Sequence, residues 1–365
     1  MGGLEAALAL RELAGDLVTI ELIAPDRWFT YRALTVGEPM GHPAGPRFDV
    51  EGIAHEAGFR FRRGTVDRVD VRLHRLLTGR HEVVRYERLI VSVGARPVDA
   101  LRGSLTFSGE GDVDRFAAKL GEVRDRGGGR IVFVVPRGAG WSLPLYELAM
   151  LTEEWGRRHG LALDLTIVTR EHDPLGVFGH PTSEAVTELL TARGIALRMG
   201  SFADEVQDGR IYLELEGWLE ADLVVSLPRL VGPRLTGLPH DDEGFLPVDE
   251  FGRVPGAADV YAIGDATTRP LKQGGLTAQQ ADVCAADIAA RAGADVQPRP
   301  YEPTLRGLLL TGEAPRFLRR GRHEEPVPPS EEPLWWPAHK VAGHHLAPFL
   351  AARPHLVVVE SDSQS

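Results

Sequence analysis

The chain has 365 residues, 43% of them apolar and 25% charged, with a formal net charge of −11. That composition belongs to a folded globular protein long enough for two or more domains. The acidic balance argues against bulk nucleic-acid binding, which rests on basic residues neutralising phosphates. No run of about 18 apolar residues occurs, so no membrane-spanning helix is expected, and the single cysteine, Cys284, excludes an intrachain disulfide.

The first element is an Ala- and Leu-rich helix over 4–14, followed by a strand over 17–23. A dinucleotide fingerprint runs strand, G-x-G-x-x-G, helix. Gly3 fits the third glycine, which allows close helix–strand packing, and Ala7 lies one turn later. The preceding strand and the first two glycines are not in this sequence, so a start upstream of Met1 or a shortened domain is expected. No basic start and apolar run marks a signal peptide. The acidic residue that would hold a ribose falls on Ala24, with Asp26 two residues late. The aromatic stretch Trp28 to Leu34 reads either as core packing or as a wall beside a ligand.

A buried-strand pattern, Leu89 to Val93, closes on Gly94-Ala95 and Pro97. A second βαβ series then begins. Strands are expected over 130–135, 163–168 and 195–198, with helices over 145–158 and 182–193. The loop after the first of these strands reads Pro136-Arg137-Gly138-Ala139-Gly140-Trp141-Ser142-Leu143-Pro144. Only Gly138 and Gly140 remain there to cradle a phosphate. After the second strand, Glu171 could take a ribose and Arg170 a 2′-phosphate, or both could form a solvated strand end. Alternating stretches over 203–227 predict a small antiparallel meander.

Residues 258–290 carry the strongest pattern. An apolar strand from Val260 to Ile263 runs into Gly264-Asp265, a Gly-rich loop follows, and an Ala-rich helix begins near Leu276. Gly permits close backbone approach, Asp265 sits at the strand's carboxyl end, and the helix start offers free N–H groups. Cys284, mid-helix among alanines, reads as a small buried hydrophobe. Further on, a strand is expected over 301–310, then a basic cluster at Arg316, Arg319, Arg320 and Arg322, and a Pro/Glu-rich loop over 324–333. Next comes Leu334-Trp335-Trp336-Pro337, then a helix over 339–352. The cluster reads as a membrane-surface contact or as a solvated loop beside a core-packed Trp pair. His339, His344 and His345 share no clean face and no accompanying carboxylate, so no metal site is expected, and the last ten residues read as a disordered tail.

The order of these pieces resembles the pyridine nucleotide-disulfide oxidoreductases, flavoproteins with two dinucleotide-binding domains. The resemblance is nearest to the type II NADH dehydrogenase and sulfide:quinone oxidoreductase branch. It rests on the Gly264-Asp265 motif, on YERLIVSVGARP at 86–97 and on GFLPVDEFGRV at 244–254, and it covers about residues 1–300. It implies an α/β fold of two Rossmann-like FAD/NAD(P)-binding domains, the second inserted in the first. The implied boundaries are 1–103 and 236–299 for the FAD domain, 104–235 for the insert, and 300–365 for a C-terminal acceptor or interface region.

The implied activity is FAD-dependent electron transfer, with a quinone or another electron carrier as acceptor. The implied cofactor residues are Gly3, Arg32, Val66, Gly94, Ala95, Gly264, Asp265, Lys272, Gln273 and Gln279. Asp265 would hold the ribityl–pyrophosphate side, Lys272 and Gln273 would lie over the ring, and the helix from Leu276 would aim its amides at the pyrimidine end. The second phosphate loop, with Pro136 and Pro144, leads us to expect poor use of NADH and NADPH. Its wording around Trp141, Tyr146 and Glu147 is nearer the sulfide:quinone oxidoreductases, yet the paired cysteines of that chemistry are absent. A cytoplasmic protein is expected, and the resemblance admits a homodimer and a peripheral membrane contact. The alternatives are a non-catalytic or regulatory relic of the fold and an NAD(P)H-dependent ferredoxin or rubredoxin reductase-like enzyme.

Overall fold

A computed structural model describes residues 1–214 and 216–358. Its helices are α1 (Gly2–Ala14), α2 (Val50–Ala57), α3 (Val113–Asp125), α4 (Leu143–Arg158), α5 (His180–Ala192), α6 (Gly274–Arg291) and α7 (Leu346–Ala351).

Two parallel strand pairs lie beside α1 and α6. Glu21–Ala24 pairs with Arg60–Arg63, and Leu89–Val91 pairs with Val260–Ala262. The strand expected over 17–23 starts only at Glu21, because Gly15 (φ 48°) ends α1 and a short 3-10 turn takes Gly15–Leu17. The strand expected to reach Val93 stops at Val91, and Val93 is exposed. α1 and α6 pack through small residues: Ala6, Ala9 and Leu10 meet Ala281, Cys284, Ala285 and Ile288 over Tyr261 and Ile263. Alanine faces let two helices approach closely. Cys284 is buried there, and burial raises its thiol pKa well above the usual range.

The middle of the chain forms a five-stranded parallel sheet in the order 105–106, 223–226, 128–134, 162–168, 196–198. Its strands are near-continuous apolar runs because both faces are covered, one by α3, α4 and α5 and the other by the antiparallel strands over 203–220. Residues 221–227 therefore do not extend the expected meander, which comprises 203–207, 210–213 and 217–220. Leu223–Ser226 instead crosses back beside Gly128–Val134, its Val224, Val225 and Ser226 all buried. The strand order reverses between these two strands, which makes a topological switch point, and ligands bind beyond the strand ends at such points. An antiparallel pair, Arg96–Val98 with Arg229–Val231, brings the incoming and outgoing chain side by side.

In the C-terminal part, Thr304–Leu309 pairs with Arg316–Gly321, so the basic cluster lies largely in a strand. Arg316 and Arg319 have carboxylate partners in Glu331 and Glu324. The Trp pair is split: Trp335 packs on Phe317 (4.9 Å between centroids), whereas Trp336 is 87% exposed. The helix expected from 339 begins only at Leu346, because residues 339–345 run as an irregular strap over α1 and α6. Glu5, buried in α1, accepts the backbone N–H groups of His345 (2.9 Å) and Leu346 (2.8 Å), and Gly343 sits against that carboxylate. Val357 and Val358 pair with Phe48 and Arg47, and the rest of the expected tail lies outside the described residues.

Candidate active site

The Gly264-Asp265 turn is built by its neighbours. Gly264 has φ 72°, and a Cβ there would lie 2.8 Å from Thr277 Cγ2, so only glycine lets α6 come this close. Its N–H is held by buried Gln280 Oε1 at 2.8 Å. Asp265 then projects from the turn half-buried, and its carboxylate has no hydrogen-bond partner among the described residues. Burial raises its pKa, opposed by Lys272, Arg32 and the chain's amino group.

Lys272 donates to the carbonyls of Asp265 (3.2 Å) and Thr267 and stacks on Phe245 at 4.0 Å. Burial lowers its pKa to about 8. The Arg32 carbonyl accepts the Thr35 hydroxyl at 2.8 Å, but its guanidinium has no hydrogen bond or ion pair among the described residues, and the residue lines the same cleft. Of the aromatic stretch, Phe29 and Tyr31 pack with Phe48. Core packing explains those two, while Arg32 and Ala33 face the cleft.

Other expected cofactor residues fall differently. Gln273 caps α6: its Oε1 accepts from Leu276 N (2.8 Å) and its Nε2 donates to Arg306 O (2.6 Å). The helix thus begins at Gly274, and the Leu276 amide is taken. Gln279 is engaged within the protein. Its amide donates to Gly275 O and Thr304 O and accepts from Thr304 N, so it ties α6 to the 304–309 strand and has no donor left for a ligand. Val66 lies in the Val66–Asp70 strand and packs beside Val69 and Val91. Gly3 packs on Leu22 of the neighbouring strand, Gly94 has φ 74° with open space where a side chain would go, and Ala95 is half-buried.

A mostly apolar cavity of about 270 Å³ opens where Lys272, Gln273 and Gly274 meet the ends of the parallel sheet at Gly140, Leu227 and Pro228. It sits at the switch point. One wall is Lys340 of the C-terminal strap, which no sequence pattern had singled out. Its ammonium lies 2.6 Å from Glu147 Oε2 of α4, and Glu147 Oε1 accepts Leu310 N at 2.9 Å. The two side chains are 7% and 0% exposed. Burial pushes the Glu147 carboxyl up and the Lys340 ammonium down, and each opposes the shift of the other. A signal was present in the sequence: only Lys119, Lys272 and Lys340 are lysines among 41 basic residues, and two of the three face this cavity. Lysine, unlike arginine, shifts its pKa readily when buried.

The comparisons bear on this geometry directly. The family model described as pyridine nucleotide-disulphide oxidoreductase matches residues 1–285. The chain belongs to that family. Demethylphylloquinone reductase NdbB of Synechocystis is 26% identical over 336 residues, covering 83% of this chain and 80% of that protein. Among solved structures, the sulfide:quinone oxidoreductase of Aquifex aeolicus superposes with a TM-score of 0.78 at 17% identity. It covers 87% of this chain and 80% of its own. The ferredoxin reductase of the CYP199A2 system from Rhodopseudomonas palustris gives 0.64 at 17% identity, over 87% and 79%.

As a pyridine nucleotide-disulphide oxidoreductase, the chain is an FAD-dependent oxidoreductase with the α/β fold expected from its sequence. The residues present fit that cofactor. The unpartnered Asp265 carboxylate is an acceptor waiting for hydroxyl donors, and the Arg32 guanidinium, without a partner among the described residues, lies within electrostatic reach of it at the cavity wall. The strap histidines, expected to lack carboxylates, have them. His344 Nδ1 is 3.0 Å from Asp282 Oδ2, and His345 Nδ1 is 3.1 Å from Glu12 Oε2. No group of three or more His, Cys, Asp or Glu arranged for a metal occurs among the described residues.

Proposed function

We propose that this flavoprotein reduces a quinone-class acceptor bound at the Lys340 wall of the switch-point cavity, beside the Arg32 and Lys272 side that the flavin takes. The observation that carries the reading is the buried Lys340–Glu147 pair at the cavity wall. Quinone reduction adds two electrons and two protons to carbonyl oxygens deep in an apolar pocket. FAD supplies the electron transfer when bound. The protein's part is to seat the acceptor against apolar walls and to supply a proton from the cavity wall. Lys340 lies at the cavity wall and can pass its ammonium proton to one quinone oxygen, while the Glu147 carboxylate behind it favours the charged form of that nitrogen against burial. This relay carries one proton, and water entering from the open side of the cavity supplies the second and recharges Lys340. The Synechocystis relative, named for a demethylated phylloquinone, and the Aquifex sulfide:quinone oxidoreductase support a quinone as acceptor. By resemblance, Asp265 binds the ribityl side of FAD while Lys272 lies over its ring.

The test is anaerobic reoxidation of the dithionite-reduced, FAD-loaded protein by a short-chain naphthoquinone. Glu147→Gln keeps the acceptor for Leu310 N and removes the proton relay. It should slow reoxidation on the order of a hundredfold, the usual scale for general acid–base catalysis, with flavin content unchanged. Lys340→Met should act in the same direction. Reoxidation at the parent rate in both variants would refute the relay, and a parent that does not reduce the quinone would refute the acceptor class.

A further inference from the structure

The polar groups around the phosphate loop of the five-stranded sheet are largely engaged with the protein's own groups. A dinucleotide pyrophosphate would need the loop between Val134 and α4 to present its amides, and the start of α4 to present its positive end. Several of these donors are missing or engaged. Pro136 and Pro144 carry no N–H. Ser142, at the N-cap, makes no side-chain bond to the helix amides. Its hydroxyl instead donates to Glu171 Oε1 at 2.9 Å. Tyr146, one turn into α4 and fully buried, donates its hydroxyl to Glu171 Oε2 at 2.7 Å, and Thr169 Oγ1 donates to the same oxygen at 3.1 Å. The carboxylate that a nucleotide-binding domain would offer outward to a ribose is thus turned inward, to the start of the phosphate-binding helix.

The two loop glycines, where backbone could approach a phosphate, are also occupied. A Cβ on Gly138 would lie 2.6 Å from Arg229 Cγ, and one on Gly140 would collide with the Lys272 side chain. The nearby cations are engaged too: Arg137 with Glu214 at 2.6 Å, and Arg229 with Glu243 at 3.8 Å.

We infer that Glu171 is the specificity-determining residue that keeps NADH and NADPH out of the second domain, standing as a built-in anion where a pyrophosphate would bind. The reasons are like charge and lost donors together. A pyrophosphate would meet a carboxylate at the helix start and would find Ser142 and Tyr146 already donating to it. Trp141, Leu143 and Pro144 follow on the cavity side of the same loop, so the inward Glu171 also anchors an apolar wall of the acceptor cavity. The inference deepens the proposed electron-transfer function by excluding one donor class. It does not depend on the acceptor.

The experiment is calorimetric titration of the oxidised, FAD-loaded protein with NADH and with NADPH, for the parent, Glu171→Gln and Glu171→Ala. Anaerobic stopped-flow recording of flavin bleaching accompanies it. The parent should show no saturation below millimolar nucleotide, and the variants should bind at least one nucleotide tenfold or more tightly than the parent does. Micromolar binding by the parent would overturn the inference. So would variants that keep the parent's circular dichroism and flavin content yet gain no nucleotide affinity. Quinone reoxidation of the dithionite-reduced parent involves no nucleotide, so it reports on the acceptor reading separately.

Discussion

Asp265 is a carboxylate at the end of a buried strand that no protein donor satisfies among the described residues. An acceptor left in this state is costly without a ligand, and charge-assisted hydrogen bonds from ligand hydroxyls contribute roughly 1.5–3 kcal/mol each. Asp265→Ala should therefore weaken FAD binding about ten- to a hundredfold, measured by flavin fluorescence on release. The Val260–Ala262 strand is unchanged by the substitution, so the apo protein should keep its circular dichroism. Asp265→Asn separates charge from shape and should fall between parent and alanine. Affinity equal to the parent's in both variants would make the Gly-Asp turn structural only. The motif itself was legible in the sequence, because a strand, a glycine and an acid in succession are local. That the carboxylate is unsatisfied was not, because donors can come from anywhere in the chain.

At the scale of elements, the Gly-Asp turn is held by what surrounds it. Asp287 of α6 is 2% exposed and receives Arg253 Nε (3.0 Å), Arg253 Nη2 (2.5 Å) and the Tyr261 hydroxyl (2.6 Å). One carboxylate therefore ties the connector at 244–254, the strand before Gly264 and the helix after it. Asp287→Ala leaves the Tyr261 hydroxyl buried and unpaired, and it should lower stability by about 2–3 kcal/mol. A fall in Tm by calorimetry, with Asp287→Asn less affected, is the expected outcome, and an unchanged Tm would show the cluster to be idle. The connector was recognisable as a sequence string, but its role as a pin on α6 depends on a side chain 34 residues away. The expected helix over 339–352 failed for a similar reason. Its first half runs irregularly to a point where Glu5 of α1 takes the amides of His345 and Leu346, and the helix begins only there.

At the scale of the whole molecule, the strap over 339–345 joins distant parts: Lys340 reaches Glu147 in α4, His344 reaches Asp282 in α6, and Glu5 of α1 holds the strap's end. The hydrogen bond and charge of Asp282 raise the His344 pKa above the ordinary value of 6.5, with burial and Arg306 opposing and Glu5 assisting. A raised histidine contributes its stabilisation fully below the unfolded value and loses it as pH rises through the folded value. Limited proteolysis in the strap should therefore speed up as pH climbs from about 6.5 into the alkaline range, and His344→Gln should remove that dependence. Cleavage independent of pH in the parent would show that His344 does not hold the strap.

Local order along the chain was enough to indicate the family. Strand–glycine–acid–helix at 260–291, the returning strand at 89–91 and the parallel series from 128 to 198 follow from apolar periodicity and turn residues, which act within a few positions. Only the tertiary structure decided the chemistry of the cavity. It turned Glu171 inward to Ser142 and Tyr146, spent Gln279 on a strand edge, carried residues 223–226 into the parallel sheet, and brought Lys340 to Glu147 across 193 residues. The physical reason is the same in each case. Burial sets the cost of leaving a polar group unpaired, and the partner that meets this cost is chosen by packing rather than by sequence distance.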